Sequence, residues 1–83
     1  MNQTLVFNTT AKTVKVYAEH PESSRIIYSY DNVPTVGIRE GYYEIMQKDN
    51  EDRSIPVLRL PIANTNMEIV KWIFLFQNQL PPF

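Results

Sequence analysis

The amino-acid sequence predicts an all-β domain in which six to seven short strands form a small antiparallel sheet pair or a curled sheet. Apolar and polar residues alternate with a period of two in several stretches. Clusters of Pro, Asn, Asp and Ser separate these stretches, and no stretch shows a clear amphipathic helical period. With 83 residues, of which 43% are hydrophobic, the chain has room for one core. Residues 1–83 are therefore expected to form a single domain.

The clearest strand lies near the N-terminus. Val14 and Val16 alternate there with Lys15 and Tyr17, as expected for a strand with one buried and one exposed face. Thr4–Phe7 is a shorter strand candidate, and the polar residues between the two stretches predict a first hairpin.

The middle of the chain predicts two main strands and a short one between them. Arg25–Tyr30 is the third strand, and its Ile26 is expected in the core. The protein has two glycines, Gly37 and Gly41. They predict a bulge and a tight turn on either side of a short strand. Tyr42–Gln47 is the fourth main strand.

A wholly polar stretch joins Tyr42–Gln47 to Ile55–Ile62, which predicts a hairpin with a charged tip. Pro56 and Pro61 of Ile55–Ile62 have no backbone N–H to donate to a neighbouring strand. This segment is therefore expected to be a sheet edge or a bent strand.

The C-terminal part is ambiguous between strand and helix. Ala63–Asn66 predicts a polar turn, and Met67–Gln77 is dense in β-branched and aromatic residues, which favours a strand. The alternative is an α+β fold with a C-terminal helix at about 67–78. A small OB-like or SH3-like barrel is a further alternative. It is disfavoured because the sharply bent strands of small barrels usually contain glycines or bulges, and this chain has two glycines.

Charge and cysteine content argue against several classes of protein. The net charge is -1, so the chain lacks the cationic field that attracts nucleic acid or anionic lipid. It contains no cysteine, which excludes disulfide scaffolds and thiolate metal sites. No export signal or membrane-spanning stretch is visible. We therefore expect a cytoplasmic protein without a membrane partner.

No residue pattern predicts catalysis. His20 is the only histidine, and although Ser23 and Ser24 follow closely, a solvated turn explains this segment better than a triad. Asp49–Asp52 offers oxygen ligands but lacks the spacing of an EF-hand loop. We expect no enzyme activity, no cofactor and no dedicated metal site.

Five tyrosines suggest a contact surface. Tyrosine and arginine are enriched at protein interfaces, and tyrosines near basic residues can also stack on nucleic-acid bases. Simple cross-strand packing is the third interpretation. The candidate aromatic and basic patch consists of Tyr17, Tyr28, Tyr43, Lys15 and Arg39.

The C-terminal segment carries more large apolar residues than a domain of this size needs for its core. A surplus apolar surface indicates a homodimer or a protein partner, and the alternative is a strand or helix buried within the monomer. The residues predicted to form a dimer or partner interface are Val70, Trp72, Phe74, Phe76 and Arg59.

These features predict a non-catalytic module that binds a larger protein, for example an accessory or inhibitor protein of a virus or mobile element, and that self-associates. Contact through a strand edge near Ile55–Ile62 or through the segment around Trp72 is expected. The alternative from a different class is a β-sheet protein that binds single-stranded nucleic acid.

Overall fold

A computed structural model describes residues 2–71. Apart from one short 3₁₀ turn, the regular structure of this range is all β, which confirms the predicted fold class. The strands are β1 (Gln3–Asn8), β2 (Thr13–Tyr17), β3 (Ile26–Tyr30), β4 (Thr35–Arg39), β5 (Tyr42–Lys48), β6 (Ser54–Pro61) and β7 (Thr65–Val70).

The seven strands form two separate sheets. The first sheet has four strands in the order β3-β2-β1-β7, and the second has three in the order β4-β5-β6. Both sheets are open within residues 2–71, so the barrel alternative does not describe this part of the chain. No helix in the same range combines the length and apolar character that crossing a membrane requires.

The pairing of β7 with β1 differs from the antiparallel arrangement expected. The two strands run parallel, with Gln3 opposite Thr65 and Asn8 opposite Val70. Thr65 was expected in a turn but begins β7, and the turn is made by the 3₁₀ segment Ile62–Asn64. The helical alternative is wrong for Met67–Val70, which lies in β7. The remainder of the predicted C-terminal strand or helix lies outside the described residues.

The core lies between the two sheets. Alternate residues of β1 and β2 face alternate residues of β5 and β6, because side chains of a strand point to opposite faces in turn. The buried apolar residues are Leu5, Phe7, Val14, Val16, Val33, Ile45 and Leu60. Tyr30, Val36, Tyr43, Val57, Leu58 and Met67 pack against them.

The linker between β3 and β4 joins the two sheets. Val33 is fully buried, and its N–H donates a hydrogen bond of 2.9 Å to the carbonyl oxygen of Lys12 in the first hairpin. The N–H of Lys48, at the end of β5, donates to the carbonyl oxygen of Asn32 at 3.0 Å. One short segment is therefore bonded to both sheets.

The two glycines have different roles. Gly41 has a φ of +84° and follows Glu40 at +54° in the turn between β4 and β5, which confirms the predicted tight turn. The predicted bulge at Gly37 is wrong, because Gly37 lies in regular pairing opposite Glu44. The bulges lie elsewhere, in β3 near Ile27 and in β6 near Val57.

The expectation of a core position for Ile26 is also wrong. Its residue surface is 45% exposed, because β3 is the outermost strand of its sheet. The register also shifts between Tyr28 and Ile26, so Ile26 does not continue the face of Tyr28 and Tyr30 in a regular way.

Candidate functional site

The outer face of the three-stranded sheet carries a cluster of aromatic and charged side chains. Tyr43 and Ile45 of β5 point toward the core, so the residues that alternate with them along the strand point away from it. Tyr42 and Glu44 therefore lie on the outer face. Arg59 of β6 lies directly opposite Glu44 and shares this face.

Arg59 contacts both neighbours. The carbon of its guanidinium lies 4.6 Å from the centroid of the Tyr42 ring, and its Nε lies 3.5 Å from Glu44 Oε2. The Glu44 side chain is 17% exposed while that of Arg59 is 44% exposed. Glu44 is thus the more buried partner of this ion pair, and part of the Arg59 side chain stays accessible to solvent.

Two further residues extend this cluster. Arg39 of β4 and Pro61 of β6 lie opposite Tyr42 on either side of it. Arg39 is exposed and makes no ion pair with any residue in the range 2–71. We call these residues, Tyr42, Glu44, Arg59, Arg39 and Pro61, the Tyr42 patch.

The Tyr42 patch combines an aromatic ring, a proline and two cationic side chains with one carboxylate. Its planar groups stack, accept apolar contact and donate hydrogen bonds to carboxylates. Adjacent strands fix their backbone positions.

No family model, curated protein or solved structure matches this chain. The assignment of the site therefore depends on its geometry.

The structure does not bring the five residues of the predicted aromatic and basic patch together. Lys15 and Tyr17 lie on the outer face of the first sheet, and Tyr28 lies opposite Val16 at its edge. Tyr43 packs against the core, and Arg39 lies on the second sheet in the Tyr42 patch.

The predicted interface residues are divided in the same way. Arg59 is exposed and belongs to the Tyr42 patch. Val70 is the half-buried last residue of β7, in the other sheet. Trp72, Phe74 and Phe76 lie outside the described residues, so their predicted role stays a prediction.

The His20 loop, residues 18–24, is held by local hydrogen bonds of Ser24. Ser24 Oγ donates to the carbonyl oxygen of His20 at 2.7 Å and accepts from the N–H of Glu19 at 2.9 Å. The loop borders shallow open clefts that also involve Thr4 and Glu68 of the first sheet. Ser24 therefore stabilises the loop and does not pair with the imidazole.

The Asp49 loop, which joins β5 and β6, is also closed by internal hydrogen bonds. Asp49 Oδ1 accepts hydrogen bonds from the N–H groups of Arg53 and Glu51, and Arg53 Nε lies 3.3 Å from Asp49 Oδ2. The backbone bond from Arg53 is the largest influence that lowers the pKa of the Asp49 carboxyl below its ordinary value. No group of three or more metal-binding side chains occurs within residues 2–71.

Sequence reasoning named Arg59 and Arg39 as candidate contact residues but did not single out Tyr42 and Glu44. The signal for them was the alternation in Tyr42–Gln47, which places both on the face opposite Tyr43 and Ile45. Which residue of β6 meets them depends on the bulge at Val57, and no sequence pattern specifies that register.

Proposed function

We propose that the protein is a small non-catalytic binding module that acts by occupying a surface of a larger protein through the Tyr42 patch. One observation carries the proposal. Arg59 stacks on an exposed tyrosine and is held there by Glu44 on a neighbouring strand. A preformed aromatic and arginine surface of this kind has the composition that dominates binding energy at protein interfaces.

Preorganisation supports binding at this patch. Long side chains lose conformational entropy when an interface forms, and each immobilised side chain costs about 0.5–1.5 kcal/mol. Arg59 has lost part of that freedom already, because the Tyr42 ring and the Glu44 carboxylate both contact it. A partner therefore meets a largely ordered group.

The chemistry of the patch defines the partner surface that it fits. Arg39 is a cation with no ion-pair partner in the described range. Tyr42 adds apolar area between it and Arg59, and Pro61 extends that area on the far side of Tyr42. The complementary surface is a protein surface that carries a carboxylate beside apolar side chains. The absence of cysteine supports action in a reducing compartment such as the cytoplasm. An accessory or inhibitor role, in which binding blocks the covered surface, suits a chain of 83 residues.

The test is affinity capture from a lysate of the source cells, followed by binding measurements with each purified protein that is retained. Tyr42→Ser and Arg59→Ala are the patch variants. Tyr28→Ser is a matched control, because Tyr28 is 41% exposed and Tyr42 is 39% exposed, but Tyr28 lies on the other sheet. Circular dichroism verifies that each variant is folded.

We expect a protein that binds the wild type and Tyr28→Ser with equal affinity and binds the two patch variants at least about tenfold more weakly. Retained proteins that bind all variants equally would contradict the proposal. Salt-dependent binding of a single-stranded oligonucleotide with quenched tyrosine fluorescence would instead support the nucleic-acid alternative.

A further inference from the structure

The two open sheets leave four strands with an unpaired side within residues 2–71, namely β3, β7, β4 and β6. Natural edge strands are commonly protected against pairing with other chains by charged residues or proline. β6 contains Pro56 and Arg59, β7 contains Glu68, and β4 ends with Arg39. β3 contains neither a charged residue nor a proline. It is the least protected edge of this part of the chain.

The side chains of β3 are also exposed and apolar. Ile26, Ile27 and Tyr28 each keep more than a third of their surface accessible. The His20 loop, which precedes β3, borders clefts with residues of β1 and β7 on the far side of the sheet. Those two strands lie on the other side of β2 from the free edge of β3.

The charges that flank β3 are self-complementary. Arg25 lies three residues before Tyr28, and Asp31 lies three residues after it. In an antiparallel pair of two identical strands centred on Tyr28, Arg25 of each copy lies opposite Asp31 of the other. Both residues are exposed, and neither forms an ion pair within residues 2–71.

Symmetry makes this register distinctive. A twofold axis perpendicular to the sheet must pass between two copies of the same residue, because opposed residues share a face. Centring on Ile27 places Arg25 opposite Ser29, and centring on Ser29 places Asp31 opposite Ile27. Among these three central positions, only Tyr28 pairs opposite charges at both ends.

We propose that β3 pairs with β3 of a second copy of this chain, antiparallel and centred on Tyr28. The four-stranded sheets of the two copies would then form one continuous sheet of eight strands. The bulge at Ile27 increases the local twist of β3, so regular backbone pairing would be confined to the central residues. The outer pairs of Arg25 with Asp31 would then form through the long arginine side chain. The contact is small by the standards of stable interfaces, so the dissociation constant is expected to be on the order of 0.1 mM.

Charge reversal tests this register. The weight-average mass of the wild type is measured by sedimentation equilibrium from about 10 μM to about 1 mM. The same measurement is made for Arg25→Asp, for Asp31→Arg and for their equimolar mixture. Glu68→Arg, which reverses an exposed charge on the β7 edge, is the control.

We expect the wild-type mass to rise toward that of a dimer, and each single reversal to weaken association by about 2- to 30-fold because two like-charge pairs replace two ion pairs. The mixture should associate more strongly than either variant alone, since a heterodimer restores opposite charges at both ends. Glu68→Arg should behave like the wild type.

Three results would overturn the proposal. The first is a wild type that stays monomeric at about 1 mM, which would leave the edge to a strand of a different protein. The second is association that both reversals leave unchanged, which would assign it to another surface. The third is a mixture no stronger than its components. None of these results bears on the Tyr42 patch, which lies on the other sheet.

Discussion

The guanidinium carbon of Arg59 lies 4.6 Å from the centroid of the Tyr42 ring. The two residues belong to neighbouring strands and are not directly opposed, because Arg59 is opposite Glu44 and Tyr42 is opposite Pro61. Arg59 therefore reaches diagonally across the sheet to stack on the ring. We therefore expect Tyr42 and Arg59 to be energetically coupled, which a double-mutant cycle can measure.

The stability effects of Tyr42→Leu and Arg59→Ala should not be additive. A stacked cation at an exposed site contributes about 0.5–1 kcal/mol, so we expect a coupling energy of that size from urea unfolding of the two single variants and the double variant. Tyr28→Leu combined with Arg59→Ala is the control, and its effects should add because the residues lie on different sheets. Additive effects in the Tyr42 cycle would show that the contact carries no energy.

Substitution by alanine should destabilise the protein at Gly41 but not at Gly37. Gly41→Ala should lower the free energy of unfolding by about 1–2 kcal/mol, because Gly41 has a φ of +84°. Gly37→Ala should be neutral or stabilising by about 0.4–1 kcal/mol, because a Cβ at Gly37 meets no atom within 4 Å. Urea unfolding measures both values. A destabilisation of equal size at the two positions would contradict the turn geometry.

Val33 should be the most sensitive position of the linker between the sheets. Val33→Ala removes two buried methyl groups and leaves a small cavity, so we expect a loss of about 1.5–3 kcal/mol of unfolding free energy. Ile38→Ala is the control, because Ile38 is largely exposed and its truncation should cost less than about 0.5 kcal/mol. Similar losses at both positions would mean that Val33 does not fill the core.

Asp49 should make stability depend on pH in acid. Hydrogen bonds from Arg53 and Glu51 hold the pKa of its carboxyl below the ordinary value of 3.8. The stabilisation is therefore complete above the unfolded-state pKa and is lost as the pH falls through the lower folded-state pKa. Asp49→Asn should reduce stability at neutral pH and flatten the acid branch of the profile measured by thermal unfolding.

Asp52→Asn is the matched control for this pH profile. Asp52 lies in the same loop as Asp49 and forms an ion pair with Lys48 at the end of β5, but its side chain is 87% exposed. Its loss should change the unfolding free energy by less than about 0.5 kcal/mol. An acid branch that Asp49→Asn leaves as steep as in the wild type would assign the titration to other carboxylates.

Local patterns predicted most strands but not how distant strands meet. The alternation around Val14 and Val16 identified β2, because one face of that strand is buried and the other is exposed. The same alternation failed for Ile26, because apolar side chains do not indicate whether a strand is central or at an edge. Thr65 looked like part of a turn, yet it is buried beside β1 and accepts a hydrogen bond from Gln3.

The candidate site shows the same limit. Arg59 was recognisable as an arginine within an apolar edge segment. Its neighbours depend on the register between β5 and β6, and the bulge at Val57 shifts that register by one residue. Because such a shift changes which side chains are opposed, the contact of Arg59 with Tyr42 could be known only from coordinates.

The parallel pairing of β1 with β7 affects how the protein is made. Gln3 pairs with Thr65, which is synthesised 62 positions later in the chain. Translation at about 5–20 residues per second delays that encounter by about 3–12 s. During this interval the nascent polypeptide carries β1 with one side unoccupied, so a chaperone or the ribosome surface has a defined period in which to shield it.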